Sequence, residues 1–210
     1  LKYISNKMPF SNLVQLELLD LSYNQIEAIE ENVFKNLINL KDLYLSYNKL
    51  KTLNTNLFNN LIKLRRLFLN HNRIKNLDDN LFRNLKSLEF LYLDSNRLDL
   101  IINEILLNDL VNLKHLYLSD NRIEFIAENS FSKLSKLTNL ELDNNTISLI
   151  DPSWLNEKPY LKKLNFCFNK NSLNTSKACS TKDTTIADLL NKVKNAYSNL
   201  TTCIIFYLIS

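Results

Sequence analysis

Asparagine recurs along this chain at a nearly constant interval. The recurring positions are Asn24, Asn48, Asn72, Asn96, Asn121, Asn145 and Asn169. Five of the six intervals are 24 residues long, and the fourth is 25. A constant period of about 20 to 50 residues is typical of a repeat protein, in which each structural unit packs only against its neighbours. We therefore expect an elongated array rather than one globular core.

Leucines precede each asparagine in one frame, L-x-x-L-x-L-x-x-N. Leu40, Leu43, Leu45 and Asn48 form one copy, and the seventh copy has Phe166 where the others have the third leucine. Because side chains alternate along a strand, both leucines of L-x-L face the same side. One strand cannot bury that apolar side by itself, so we expect neighbouring repeats to stack and to share a continuous core.

The recurring asparagine is expected to be structural rather than catalytic. It follows each strand, where its amide can bond the unpaired backbone groups of an inward bend. A buried polar group without a partner costs roughly 1–3 kcal/mol, so the loss of this amide is expected to be damaging. In the third copy we assign this role to Asn72, and we expect Asn70 to face solvent.

A phenylalanine column lies further along each repeat. Its members are Phe34, Phe58, Phe82 and Phe131, with Leu107 in the same column. The whole pattern is L-x-x-L-x-L-x-x-N-x-I-x-x-I followed by x-N-x-F-x-x-L. It resembles the 24-residue "typical" class of leucine-rich repeats found in Toll-like receptor ectodomains, the acid-labile subunit of insulin-like growth factor complexes and insect leucine-rich immune proteins.

This resemblance covers roughly residues 1–170 and implies an α/β solenoid. The expected architecture is a leucine-rich repeat horseshoe with a parallel concave sheet, short convex turns or 3-10 segments, and a C-terminal helical cap. We divide the chain into repeats (1–158), a degenerate last repeat with a cysteine-bearing cap (159–203), and an apolar tail (204–210).

Two places depart from the regular repeat: the fourth interval, and the seventh copy, in which Pro152, Trp154 and Pro159 replace the regular convex segment. The longer fourth interval predicts a convex bulge between Leu98 and Leu110. At the start, Leu1 and Ile4 match the apolar pair that follows the first recurring asparagine. We therefore expect an incomplete first repeat, in a chain that is either a fragment of a longer protein or a gene product whose first exon is missing.

The predicted cap contains the three cysteines of the chain. Thr184 can begin a helix with an apolar stripe that would cover the last repeat. The region is similar to the C-terminal cysteine caps of extracellular repeat proteins, although those normally carry four cysteines beginning with C-x-C. Our preferred pairing joins Cys179 to Cys203, which would close the helix hairpin, and leaves Cys167 buried on a strand or available for a disulfide-linked dimer. A zinc site is the competing hypothesis, and the absence of C-x-x-C and of a nearby histidine disfavours it.

Three N-glycosylation sequons begin at Asn144, Asn174 and Asn199, and they suit a secreted or cell-surface protein. An asparagine-rich chain also produces such triplets by chance. The apolar tail is shorter than the roughly 20 residues needed to cross a bilayer. We expect it to be either the start of a membrane segment or a last strand of the cap.

The chain contains no glycine. P-loops, dinucleotide-binding fingerprints and nucleophile elbows all need glycine backbone positions, so these three enzyme classes are excluded. His71 and His115 have no serine or cysteine nucleophile placed beside both, and Glu141 and Asp143 lie on one strand without a sign of a closed pocket. We expect no enzyme activity, no cofactor and no metal. A net charge of +4 with alternating signs does not favour nucleic acid as a partner.

One side chain per strand lies between the two inward leucines and faces the concave surface. This column contains Asp20, Tyr44, Phe68, Tyr92, Tyr117, Glu141 and Asn165. Its four consecutive aromatic residues predict an exposed stripe, and such stripes are typical of binding sites. Alternatively, L-Y-L reflects only strand propensity. With their charged and polar neighbours, the predicted partner-binding residues are Tyr44, Phe68, Tyr92, Tyr117, Arg66, Asp94, His115 and Glu141.

Charges beside this column divide along the array. Basic residues gather near the third repeat, and acidic residues gather near the fourth to sixth. The basic group is Lys63, Arg65 and Arg66, and the acidic group is Asp94, Asp120, Glu141 and Asp143. Such a split would orient a partner, although it is also compatible with ordinary solvated surface.

The leading hypothesis is an extracellular recognition module that binds a protein or a glycan on its concave face, in the manner of an arthropod receptor or innate-immune factor. One rival is an intracellular scaffold with reduced cysteines. A second rival is the docking part of a larger enzyme whose catalytic domain lies elsewhere.

Overall fold

The computed structural model describes residues 1–7, 9–99, 105–127, 129–147, 158–166 and 204–207. The strands are β1 (Tyr3–Ile4), β2 (Leu18–Asp20), β3 (Ala28–Ile29), β4 (Asp42–Tyr44), β5 (Arg66–Phe68), β6 (Phe90–Tyr92), β7 (His115–Tyr117), β8 (Asn139–Glu141), β9 (Lys163–Phe166) and β10 (Ile204–Tyr207). A 3-10 helix spans Pro9–Asn12, and turns connect the other elements in the described ranges. The expected short connections are confirmed.

Eight strands form one sheet in the order β10-β9-β8-β7-β6-β5-β4-β2. Neighbours from β2 to β9 are parallel, and equivalent residues of successive repeats lie opposite each other, as Leu19, Leu43 and Leu67 do. A slip of one residue would exchange the two faces of a strand. The register inferred from the asparagine period is therefore confirmed, and with it the parallel sheet of a leucine-rich repeat solenoid.

Two short pairings lie beside the parallel strands of the main sheet. β1 and β3 form a separate parallel pair in which Ile4 lies opposite Ile29, as expected if the first residues belong to the same kind of repeat. β10 pairs antiparallel with β9. The apolar tail was expected to be either the start of a membrane segment or a strand, and Ile204–Tyr207 of this tail form a strand.

The core is a set of apolar columns that run through the stack. The inward leucines of β4 to β8 are fully buried, and so is the phenylalanine column. Phe34, Phe58, Phe82 and Phe131 each have no exposed surface. Leu107 occupies the same column and is 2% exposed, so a smaller side chain fills the position in the longer repeat.

The recurring asparagine joins one repeat to the previous one. The Nδ2 group of Asn72 donates to the carbonyl of Leu69 in its own repeat (3.0 Å) and to that of Leu45 in the previous repeat (2.9 Å). Its Oδ1 atom accepts from the amide of Leu50 (3.1 Å). The same three kinds of bond recur at Asn48, Asn96, Asn121 and Asn145. The predicted structural role of this residue is confirmed.

The residue before each of the first six recurring asparagines has a positive φ angle. These residues are Tyr23, Tyr47, His71, Ser95, Asp120 and Asn144, with φ between 52° and 55°. Left-handed backbone costs a residue with a side chain roughly 1–2 kcal/mol, and this chain has no glycine to avoid that cost. Backbone bonds offset it, because the amides of Tyr47 and His71 donate to carbonyls of the next repeat, each at 3.1 Å.

Several expectations concern residues outside the described ranges. They include most of the predicted bulge, the convex part of the seventh repeat, the cap helix, all three cysteines, and the sequons at Asn174 and Asn199. Across the described ranges, the structure has no helix long and apolar enough to span a membrane.

Asn70 differs from its expected environment. We expected it to face solvent, but it is half-buried, and its Oδ1 atom accepts a hydrogen bond from the hydroxyl of Ser46 (2.6 Å). The expectation was wrong because the surface residues of adjacent repeats lie close enough to bond each other.

Asn72→Ala is expected to lower the free energy of unfolding by about 3 kcal/mol or more, because it leaves several buried backbone groups without partners. Asn70→Ala removes one partly exposed bond and is expected to cost about 1 kcal/mol. Urea unfolding followed by circular dichroism compares the two variants. Equal losses would contradict the role assigned to the recurring asparagine.

Candidate binding face

Four aromatic rings form a continuous ladder on the concave face. Tyr44, Phe68, Tyr92 and Tyr117 extend from the middle sheet strands, one ring from each of β4 to β7. Their centroids are 4.4, 4.4 and 4.3 Å apart, and the planes of neighbouring rings lie within 12° of parallel. Parallel strands about 4.8 Å apart bring equivalent side chains to this spacing. The rings are half-buried, because Phe68 and Tyr92 are covered by rings on both faces and the two end rings on one face.

Two further aromatic stacks flank the ladder, and neither was predicted from the sequence. Tyr23, Tyr47 and His71 stack at 4.3 and 4.1 Å in the left-handed positions that follow the strands. On the other side, Phe90 stacks on His115 at 4.4 Å. Tyr23, Tyr47 and His71 recur every 24 residues, as the asparagines that follow them do. The sequence therefore contained a signal for this stack.

Two of the predicted charged residues bond within the sheet. Arg66 donates to both carboxylate oxygens of Asp42, with Nη2 2.7 Å from Oδ2, and this hydrogen bonding raises the pKa of Arg66. Glu141 is 7% exposed and pairs with Lys163 at 2.6 Å. Arg66 keeps about half of its side chain exposed (47%). Of the two, Arg66 is therefore the residue that a partner can contact.

Acidic residues gather where the strands end. Burial raises the pKa of Asp94, and the nearby Asp120 and Asp143 add to this effect. The Oδ1 atom of Asp94 is buried and has no hydrogen-bond partner among the described residues. The Nδ2 group of Asn144 donates to Asp120 at 2.9 Å, so this exposed sequon residue lies at the acidic edge.

Basic residues gather at the opposite edge, where the strands begin. Glu89 accepts from Arg65 and Lys114, each at 2.7 Å, and bonding to Lys114 is the main reason that the pKa of Glu89 is lowered. In addition to the predicted division of charge along the array, acidic and basic side chains are thus separated across the sheet, at the edges where the strands end and begin. In the described part of the chain, no group of three or more His, Cys, Asp or Glu side chains is arranged to hold a metal ion.

Tyr92, in the middle of the ladder, is neutral at physiological pH. Burial raises the pKa of Tyr92 to about 12, and the neighbouring Tyr117 contributes to the shift. The concave face therefore offers apolar rings with hydroxyl groups, which suits an interface that is apolar at its centre and polar at its margin.

His115 is expected to make the stability of the fold depend on pH. Burial lowers its pKa, the nearby Lys114 adds to the effect, and Nδ1 has no hydrogen-bond partner among the described residues. Because the folded state favours the neutral ring, this contribution is present above the unfolded pKa of about 6.5 and is lost as pH falls through the lower folded pKa.

An NMR titration of a His71→Gln variant, which leaves a single histidine, is expected to show a midpoint for His115 below about 6.5. Replacing His115 with Gln is expected to weaken the acid destabilisation. A midpoint at or above the ordinary value would contradict the burial argument.

Comparison with known proteins places this geometry in a family. A family model described as "Leucine rich repeat" matches residues 6–50, 38–98 and 102–147. No curated protein matches the chain. One similar solved structure is a TLR13–ssRNA13 complex, which is 29% identical with a TM-score of 0.72 over 86% of this chain.

The Toll–Spatzle complex of Drosophila is also similar. One structure of it is 29% identical over 72% of this chain with a TM-score of 0.65, and a glycosylated form is 25% identical over 87% with a TM-score of 0.74. This chain spans 25%, 21% and 27% of the three matched chains, in the order given. The family match extends over most of the chain and agrees with the parallel register and the asparagine bonds, so the chain belongs to the leucine-rich repeat family.

Proposed function

We propose that this chain is an extracellular recognition module that binds a protein partner on its concave face. The observation that carries the proposal is the ladder of Tyr44, Phe68, Tyr92 and Tyr117, whose rings stack in register on four neighbouring strands. The similarity to Toll, solved in complex with Spatzle, supports a protein partner. An arthropod receptor or innate-immune factor is the setting we favour.

The stacked rings are suited to binding because they are held in place before a partner arrives. Ordering flexible side chains costs about 0.5–1.5 kcal/mol each on association, and rings packed between neighbours avoid much of that cost. Aromatic residues also dominate binding hot spots. The ladder spans about 15 Å, so the flanking stack that includes Tyr47 and His71 would extend the contact surface.

We assign the polar margin of this surface to Arg66, Asp94 and His115. Each is partly exposed and lies beside the ladder on a neighbouring column. Glu141 belonged to the predicted set, but its pair with Lys163 leaves it nearly buried, and we assign it no direct contact. The two charged edges would orient a partner without supplying most of its affinity.

The extracellular location rests on the resemblance of the repeat class and on the predicted cap. We propose a disulfide between Cys179 and Cys203, a Cys167 available for a covalent dimer, and glycosylation at Asn144, Asn174 and Asn199. Mass spectrometry under non-reducing conditions is expected to find one free thiol in the monomer. Three free thiols would favour the intracellular scaffold instead.

The proposed role is binding and not catalysis. The rival in which the repeats dock a larger enzyme is tested by obtaining the complete reading frame.

No nucleic-acid partner is proposed, although one similar structure is a complex with ssRNA. Titration of the chain with single-stranded RNA tests this point, and we expect affinity no higher than nonspecific binding, roughly 10⁻⁴–10⁻⁶ M at physiological salt.

A photo-crosslinking residue in place of Tyr117 is expected to capture the partner, whereas the same residue in place of Lys133, in a turn away from the sheet, is not. With that partner in hand, Tyr92→Ala and Tyr117→Ala are each expected to weaken binding by about 2 kcal/mol or more. Tyr160→Ala is the matched control, because this tyrosine is 61% exposed and lies outside the ladder.

Stability must be measured alongside affinity. A substitution at a fully exposed site generally costs less than about 1 kcal/mol of folding stability. The half-buried ring of Tyr92 stacks on both sides, so Tyr92→Ala is expected to cost about 1–2 kcal/mol. Unchanged affinity in both ladder variants would remove the ladder from the binding mechanism.

A further inference from the structure

An open depression of about 420 Å³ lies along the edge where the strands begin. It is lined by Lys41, Lys63, Arg65, Ser87, Glu89, Asn112, Lys114 and Lys136. These side chains are five cations, one carboxylate and two neutral polar groups. The lining therefore carries a net charge of +4, which equals the net charge of the whole chain.

The cations of this depression are only partly neutralised. Glu89 bonds both Arg65 and Lys114, and Lys41 pairs with Glu17 outside the depression at 2.7 Å. Lys63 and Lys136, in contrast, bond neutral amide oxygens of Asn39 and Asn112, at 2.7 and 2.6 Å. These two exposed ammonium groups keep their full charge for an incoming anion.

The arrangement is extended rather than focused on one point. Lys41, Arg65 and Lys114 immediately precede β4, β5 and β7, and Lys136 lies shortly before β8. With strands about 4.8 Å apart, the cations extend over four strand intervals, or about 19 Å. A small anion could contact only part of this run, so a polymer with repeated negative charges fits it better.

The uncharged lining indicates what kind of polymer fits. The Ser87 hydroxyl donates to the carbonyl of Ile62 (2.8 Å), and the Asn112 amide donates to the carbonyl of Lys86 (2.8 Å) and accepts from Lys136. A hydroxyl or amide oxygen has two lone pairs, so each of these oxygens can still accept a hydrogen bond from a sugar hydroxyl. Binding of single-stranded nucleic acid generally adds aromatic faces on which bases stack, and none of the eight lining residues is aromatic. Phe90 lines an adjacent cavity, but its ring is already stacked on His115. An acidic peptide would find no apolar residue in this lining against which to pack the anchoring side chain that protein interfaces use.

From this lining we infer that the depression binds a sulfated polysaccharide, with Lys63 and Lys136 as the main contacts to sulfate groups. This binding surface is separate from the aromatic ladder and does not depend on the protein partner proposed for it. Clusters of Lys and Arg bind polyanions of this class through a strong, salt-sensitive electrostatic attraction.

Binding of the full chain to immobilised heparin tests the inference at about 0.15 M salt. A double variant with Lys63→Gln and Lys136→Gln is expected to weaken binding about tenfold or more and to reduce its salt dependence. The matched control carries Lys51→Gln and Lys133→Gln, which remove the same charge from exposed lysines outside the depression, and its affinity should change less than about twofold.

A second comparison predicts a gain of affinity. Glu89→Gln releases Arg65 and Lys114 and is expected to tighten heparin binding, whereas Glu27→Gln changes the net charge equally at an exposed site elsewhere and is expected to have little effect. Tyr92→Ala should leave heparin binding unchanged, which separates this site from the ladder. Thermal melts establish that each variant is folded.

Three outcomes would overturn the inference. The first is equal binding by the two double-lysine variants, which would indicate a general charge effect. The second is undiminished binding of heparin from which the sulfates have been removed. The third is tighter binding of polyuridylate or polyglutamate than of heparin, which would assign the depression to nucleic acid or to an acidic protein segment.

Discussion

The bonds made by the recurring asparagine amide hold the rest of this structure in place. One side chain satisfies backbone groups of two successive repeats, so each bend is tied to the one before it. Strand pairing continues the same connection, because Leu43 and Leu67 lie opposite each other in neighbouring strands. The stack is therefore a chain of local contacts, and its stability depends on every interface between repeats.

This connection converts a period in the sequence into columns on the surface. Residues 24 or 25 positions apart come within about 5 Å of each other, so a recurring aromatic residue becomes a ladder, and a recurring lysine or arginine becomes a charged edge. Both proposals depend on this conversion. The ladder of Tyr44, Phe68, Tyr92 and Tyr117 offers a partner an ordered apolar surface, while the basic depression offers a polyanion an extended line of charge.

The absence of glycine changes the edge at which the strands end. Glycine would adopt the left-handed conformation of these bends without strain, but it would place no side chain there. In this chain Tyr23, Tyr47 and His71 occupy three of these positions and stack on each other. The cost in backbone conformation is accompanied by a second aromatic surface beside the concave sheet.

The sequence alone determined the repeat, its register and its core, because apolar period, strand alternation and the asparagine position all indicate one arrangement. It also identified the central ladder, since residues of one column must become neighbours. Only the tertiary structure showed that Asn70 bonds Ser46, that Glu141 is nearly buried against Lys163, and that Glu89 lies among cations. Those facts depend on which side chains of adjacent repeats meet and in which direction each one extends, and a period along the chain does not contain that information.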